Sequence, residues 1–431
     1  MYRRRKMKKN PVLIVGLLLL TTILFAGGQK STGKTLTVWD FKYDEKITGR
    51  VFRDMDKMFS DKYPDVTINH VAQPEATYYQ ILMSAFTAKT DVDVVMTHTD
   101  NRAWNLKDFF EVLNPYVSSV MGNYSSAALK ASSPTQDPAK DLRALPLTSQ
   151  GVGFYYNKQN FVKAGLDPNK IPSSWDDFIA ACEALKKAGI TPFITGNSGM
   201  CLGPDFIYRA ILGTLYGPKI EGFRNGTANF TDPEFRQATL MIKELFDKDY
   251  VNVENGSITY FTEAIDLFKA GKGGFFIGLT SDIAHWKDFG DALGYDNVGY
   301  FSSPVAANAP YPDLQTNQGA GLLLEVVNYG KNKDMAVEYI KHYTSGEAGK
   351  LFMNESGALV PNSTIPVDQS NKLLTTILGK MNNNAVSDYE QLIPGGMIAD
   401  YQNFMYLYFV SKEISLDDYI KQVQQLYVNL L

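Results

Sequence analysis

The side chains that could do covalent or acid–base chemistry are few, and their spacing does not suit it. The four histidines, His70, His98, His285 and His342, fall in no HExxH or HxH arrangement, so the usual pattern of a zinc site is missing. No GxSxG elbow occurs. The Gly-Lys pairs in "KAGKGG" and "GEAGKL" lack the Ser or Thr and the spacing of a phosphate loop, and no GxGxxG opens a helix after a strand. His98 stands two residues from Asp100, near enough for an acid–base pair, yet a histidine beside a strand end is more often structural or ligand-contacting. Carboxylates abound, so a pair flanking a glycosidic bond stays open, but nothing singles one out. No cofactor and no metal is expected.

A different kind of residue collects where strands should end. Trp39 stands with Asp40 and Phe41; Asp100, Asn101 and Arg102 are followed by Trp104; Asn197 and Ser198 sit in "TGNSG". An aromatic face beside amide and carboxylate groups suits a sugar, whose C–H faces stack on rings while its hydroxyls pair with planar polar groups.

The elements that must position these residues read as alternating strands and helices. "TLTVW" alternates and is rich in β-branched residues, which predicts a strand. Val51, Met55, Met58 and Phe59 then recur at helical spacing until Pro64. "DVTINHV" predicts a second strand, residues 76–88 a second helix and "DVDVVM" a third strand. This is the β-α-β-α-β unit of a helix-covered sheet, in which ligands lie beyond the carboxyl ends of strands. A second unit opens near Gly151: "VGFYYN" is a strand, and "SSWDDF" starts a helix capped by Ser173 or Ser174 with Asp176 or Asp177 answering. Later, "GGFFIG" and "QGAGLLLEVV" predict buried strands, and the tail predicts an amphipathic helix led by Ser415.

At 431 residues the chain exceeds the size at which single cores stop growing, so two domains are expected. A net charge of −4 argues against nucleic acid as a partner. Aromatic residues reach 13%, which suits a core and also a ring-stacking cleft. Cys182 falls on the apolar stripe Phe178, Cys182, Leu185, which favours a buried free thiol over a bridge to Cys201. The first residues combine a basic head, an apolar run from Val12 to Ala26, and small residues at 26–28. That is the pattern of a secretory signal, with residues 1–28 removed by cleavage after Gly28. Gly28 stands where a lipoprotein signal carries its cysteine, so an exported, periplasmic or surface-associated chain without that lipid is expected.

One long stretch carries a resemblance. "LPLTSQGVGFYYNKQNFVKAGL" followed by "IPSSWDDFIAACEALKKAGITPF" resembles the signature of extracellular solute-binding proteins of carbohydrate ABC transporters, the maltose-binding-protein type. Tyr155, Tyr156, Asn157, Lys158, Gly165, Pro172, Trp175, Phe178, Gly189 and Pro192 carry the match. After "FFIG" the family usually has a Trp, whereas this chain has "LTSD". Most signature residues build the fold, so Tyr156 and Trp175 are not expected at the ligand.

The resemblance implies an α/β fold of the two-lobed periplasmic-binding-protein type, with a hinge of three chain crossings near Thr148, Ser302 and Gly346. Residues 35–147 and 302–345 would form the first lobe, and 148–301 and 346–431 the second. A sugar or oligosaccharide would bind between the lobes, and the closed form would be presented to ABC permease subunits by a monomeric protein. The residues expected to face the cleft are Trp39, Asp40, Asp100 and Asn197, with Gln150, Asp282 and Gln318. Two other readings stand beside this one: a carbohydrate-sensing module that feeds a receptor, and a carbohydrate hydrolase or lyase.

Overall fold

The computed structural model describes residues 33–281, 284–381 and 385–431, with the side chains of residues 317, 318 and 385 outside that description. The signal pattern and Asp282 therefore lie outside the described residues. Eleven strands are present among the described residues: β1 (Lys34–Asp40), β2 (Val66–Ala72), β3 (Val94–His98), β4 (Ala144–Pro146), β5 (Ser149–Asn157), β6 (Thr191–Ile194), β7 (Gly273–Leu279), β8 (Val298–Phe301), β9 (Gln315–Ala320), β10 (Leu322–Val326) and β11 (Ala385–Ser387).

The strands form two sheets. The first runs β2-β1-β3-β10-β4, and the second β11-β9-β5-β7-β6 with β8 also on β5. In the first, β1 is parallel to β2 and β3, as the β-α-β-α-β reading expects, and β10 enters antiparallel. The helix Thr48–Lys62 buries Val51, Phe52, Met55 and Phe59 against this sheet, one face of a 3.6-residue repeat. The second core gathers Phe154, Tyr155, Phe275 and Phe276 with Phe178, Cys182 and Leu185 of the helix Trp175–Lys187. That helix opens on a capping box between Ser174 and Asp177. Trp175 and Tyr156 are buried in the same core, as expected of residues that build the fold.

The passages between the sheets differ in part from expectation. The first lies at Thr148, where β4 gives way to β5. The second lies at Gly321 rather than near Ser302, because β9 pairs with β5 while β10 pairs with β3 and β4. Residues 302–320 thus belong with the second sheet. The third lies beyond Ile365 rather than near Gly346. The helix Gly346–Ser356 packs Ala348 and Phe352 into the first core, which extends to Ile365, whereas Leu373, Leu374 and Ile377 enter the second.

At the double passage the two strands bond to each other. Gly321 N donates to Thr148 O at 3.0 Å, and Leu322 N to Thr148 Oγ1 at 2.9 Å. A Cβ on Gly321 would meet Gln150 Oε1 at 2.3 Å, so the glycine permits this close approach.

Candidate functional site

A cavity of about 330 Å3 opens beside this passage, where the loop after β3 faces the helix Leu202–Tyr216 and the segment 388–402. The helix contributes Leu202, Phe206 and Arg209, spaced so that they share one face. Phe261 and Met200 supply apolar surface to the cavity and remain 40% and 47% exposed.

On one side, Asp100 caps the short helix Asn101–Trp104 by accepting from Arg102 N at 2.8 Å. The Arg102 guanidinium folds back on the same carboxylate, with Nη2 at 2.6 Å from Oδ2, and lies over the Tyr79 ring. Burial would raise the Asp100 carboxyl, but the hydrogen bonds and charge of Arg102 hold it below the usual value. His98 stacks on Phe41 and shares a 3.0 Å hydrogen bond with Tyr79 through Nδ1.

On the other side, Arg209 is sealed from solvent and spans two carboxylates: Nε to Asp388 Oδ2 and Nη1 to Glu390 Oε2, both at 2.7 Å. Asp205, one turn earlier on the helix, accepts from Tyr389 Oη at 3.0 Å. Burial raises the Asp205 and Glu390 carboxyls, with Arg209 acting in the opposite direction. Gln391 donates to Thr99 Oγ1 at 3.0 Å and Asn101 to Ile393 O at 3.1 Å, so the segment carrying Asp388 and Glu390 reaches across to the first lobe. The arrangement offers an aromatic face, planar amides and paired charges, and among the described residues no group of acids, histidines or cysteines is placed to hold a metal.

Residues 44–350 match the family model of bacterial extracellular solute-binding proteins. The chain belongs to that family. A putative binding protein of Brucella abortus is 27% identical to this solute-binding chain over 304 residues, 69% of this chain and 70% of the relative. An uncharacterized ABC transporter extracellular-binding protein of Pyrococcus horikoshii is 22% identical over 272 residues, 61% of this chain and 57% of that protein. Among solved structures, a chitin oligosaccharide binding protein superposes with a TM-score of 0.76 at 20% identity, covering 92% of this chain and 99% of the other. At that identity the likeness establishes the two-lobed fold.

Of the residues expected at the site of this solute-binding protein, Asp100 and Gln150 line the cavity. Trp39 packs against the first core, and its carbonyl accepts from Tyr78 Oη at 2.9 Å. Asp40 is fully buried, its Oδ2 on His70 Nε2 at 2.9 Å and its Oδ1 on the backbone N–H groups of Lys42 and Tyr43. Asn197 is buried too; its Oδ1 accepts from Gly203 N at 3.0 Å, which holds the start of the helix Leu202–Tyr216. Neither Trp39, Asp40 nor Asn197 lines the cavity. Gln318 lies in β9, its side chain outside the described residues. The sequence reading passed over Phe206, Arg209, Phe261, Glu390, Gln391 and Gln402. One signal was available: Asp205 and Arg209 interrupt an otherwise apolar helix, and charges there require partners.

Proposed function

We propose that this chain is the exported sugar receptor of an ABC importer. It takes a sugar or short oligosaccharide into the inter-lobe cavity and presents it to membrane permease subunits, without turning it over and as a monomer. The observation that carries the reading is the union of exposed Phe261 with planar polar groups, Asp100, Gln150, Gln391 and Gln402, in one cavity beside the inter-lobe passage. Rings stack on the aromatic face and hydroxyls pair with the amides and carboxylates. The names of the two neighbours, one an oligosaccharide binder and one an ABC extracellular-binding protein, support the same reading. No helix among the described residues is long and apolar enough to cross a membrane, which is compatible with export.

A thermal-shift screen of the chain from residue 29 onward against a sugar panel tests it. A ligand that binds only the folded state stabilises it by about 2.7 kcal/mol at a concentration of a hundred times Kd. A rise in Tm with a sugar, and no product on prolonged incubation, is the expected result. A panel of mono-, di- and trisaccharides without any shift counts against the reading.

A further inference from the structure

Carboxylates outnumber cations around this cavity. Asp388 and Glu390 both meet Arg209, and Asp205 lies one turn before it on the same helix. Opposite them, Asp100 and Arg102 cancel. Three carboxylates thus surround the one guanidinium of Arg209 among the described residues, while Arg102 and His98 stand beside Asp100, and no lysine lines the cavity there. Two negative charges in excess, placed where water is scarce, are costly unless protons or a cation meet them.

The three acids near Arg209 differ in access. Asp205 and Asp388 are sealed, each 2% exposed, whereas the Glu390 side chain retains 23% exposure and lines the cavity. Of these three, Glu390 is the acid a ligand can reach, and Asp100 across the cavity, equally exposed at 23%, already has both oxygens on Arg102. Arg209 engages its Oε2, and the carboxylate has a second oxygen with which to accept. The cavity of about 330 Å3 is also near the lower end of ligand pockets, which run from about 300 to 1,000 Å3. It suits one or two sugar rings rather than a long chain.

Resting on the sugar reading above, we propose that the ligand is a mono- or disaccharide bearing a free amino group, whose ammonium is received by Glu390. The ammonium supplies the positive charge that the wall lacks, and a charge-assisted hydrogen bond forms in a site with little water. Burial raises the Glu390 carboxyl in the ligand-free protein. The groups around it are Arg209 and Asp205 on the helix, Asp388 on its own segment, His98 at the end of β3, and Asp100 and Arg102 after it. To the extent that burial leaves this carboxyl protonated near neutral pH, an arriving ammonium displaces that proton to buffer.

Isothermal titration of the full chain with glucosamine, galactosamine and mannosamine, each against its neutral parent hexose and its N-acetyl form, tests this. The expected result is at least one free amino sugar binding about tenfold or more tighter than both neutral counterparts. Its heat should vary with buffer in the sense of proton release. Glu390→Gln, close in shape and without the charge, should abolish both the preference and the release. Neutral sugars that bind as tightly as their amino forms would overturn the inference and leave the sugar reading standing. If none of these sugars binds, the inference falls, while the sugar reading is decided by the mono-, di- and trisaccharide panel above. The wild-type comparison decides the matter even if Glu390→Gln fails to fold.

Discussion

Arg209 Nε donates to Asp388 Oδ2 at 2.7 Å across 179 residues of sequence, and this pair ties the helix Leu202–Tyr216 to the late segment that closes one side of the cavity. Both side chains are sealed from solvent, 4% and 2% exposed. Removing one partner from a buried pair costs about 3–5 kcal/mol, because the other charge is left uncompensated. Arg209→Ala strands Asp205, Asp388 and Glu390 together and should lower urea-unfolding stability by at least that much. Asp388→Asn keeps an acceptor for Nε and should cost less. Equal stability of Arg209→Ala and wild type would show that the pair does not hold the segment.

His70 supplies a pH dependence in the first lobe. Its Nε2 meets Asp40 and its Nδ1 meets Asp56, both at 2.9 Å, while Tyr339 and Tyr343 donate to the far oxygen of Asp56. Burial lowers the imidazole's proton affinity, but the hydrogen bonds to Asp40 and Asp56 and their charges outweigh it and raise the pKa to about 9. The folded value lies above the unfolded value of about 6.5, so the stabilisation is fully present below pH 6.5 and is lost as pH rises through about 9. Denaturant titrations from pH 6 to pH 9.5 should show a loss on the order of 3 kcal/mol that His70→Asn does not share. Parallel curves for the two proteins would refute the assignment.

Phe261 and Trp39 should separate ligand from core. Phe261 is 40% exposed at the cavity, so Phe261→Ala should leave the ligand-free Tm nearly unchanged. It should weaken sugar binding by about 1–3 kcal/mol, roughly 5- to 150-fold in Kd. Trp39 packs against the first core, and Trp39→Ala should lower the ligand-free Tm while the folded fraction keeps its affinity. The opposite pattern would place Trp39 at the ligand.

Cys182 and Cys201 are both free and buried, and burial raises both thiols well above the ordinary range. A thiol reagent should label neither in the native protein within the time that labels both in denaturant. Rapid native labelling, or quantitative bridging of the pair under oxidation, would contradict this.

Features that depend on a few consecutive residues were legible in the sequence alone. A cap at Ser173 or Ser174 answered by Asp176 or Asp177, the Ser415 cap and the alternation of strands and helices at β1, β2 and β3 follow from local hydrogen-bonding chemistry and from apolar periodicity, and the fold selects Ser174 with Asp177. The family signature likewise includes core residues such as Tyr156 and Trp175, whose burial is a local consequence of strand and helix faces. The tertiary structure decided what depends on remote partners. A carboxylate at a strand end can look outward to a ligand or turn back onto the backbone. Asp40 turns back onto Lys42, Tyr43 and His70, while Asp100 borders the cavity. The lobe that owns residues 315–320 was set by the pairing of β9 with β5, a strand far earlier in the chain. Arg209 lines the cavity where segment 388–390 meets it across the fold, since a buried charge takes its partner from whichever element packs beside it.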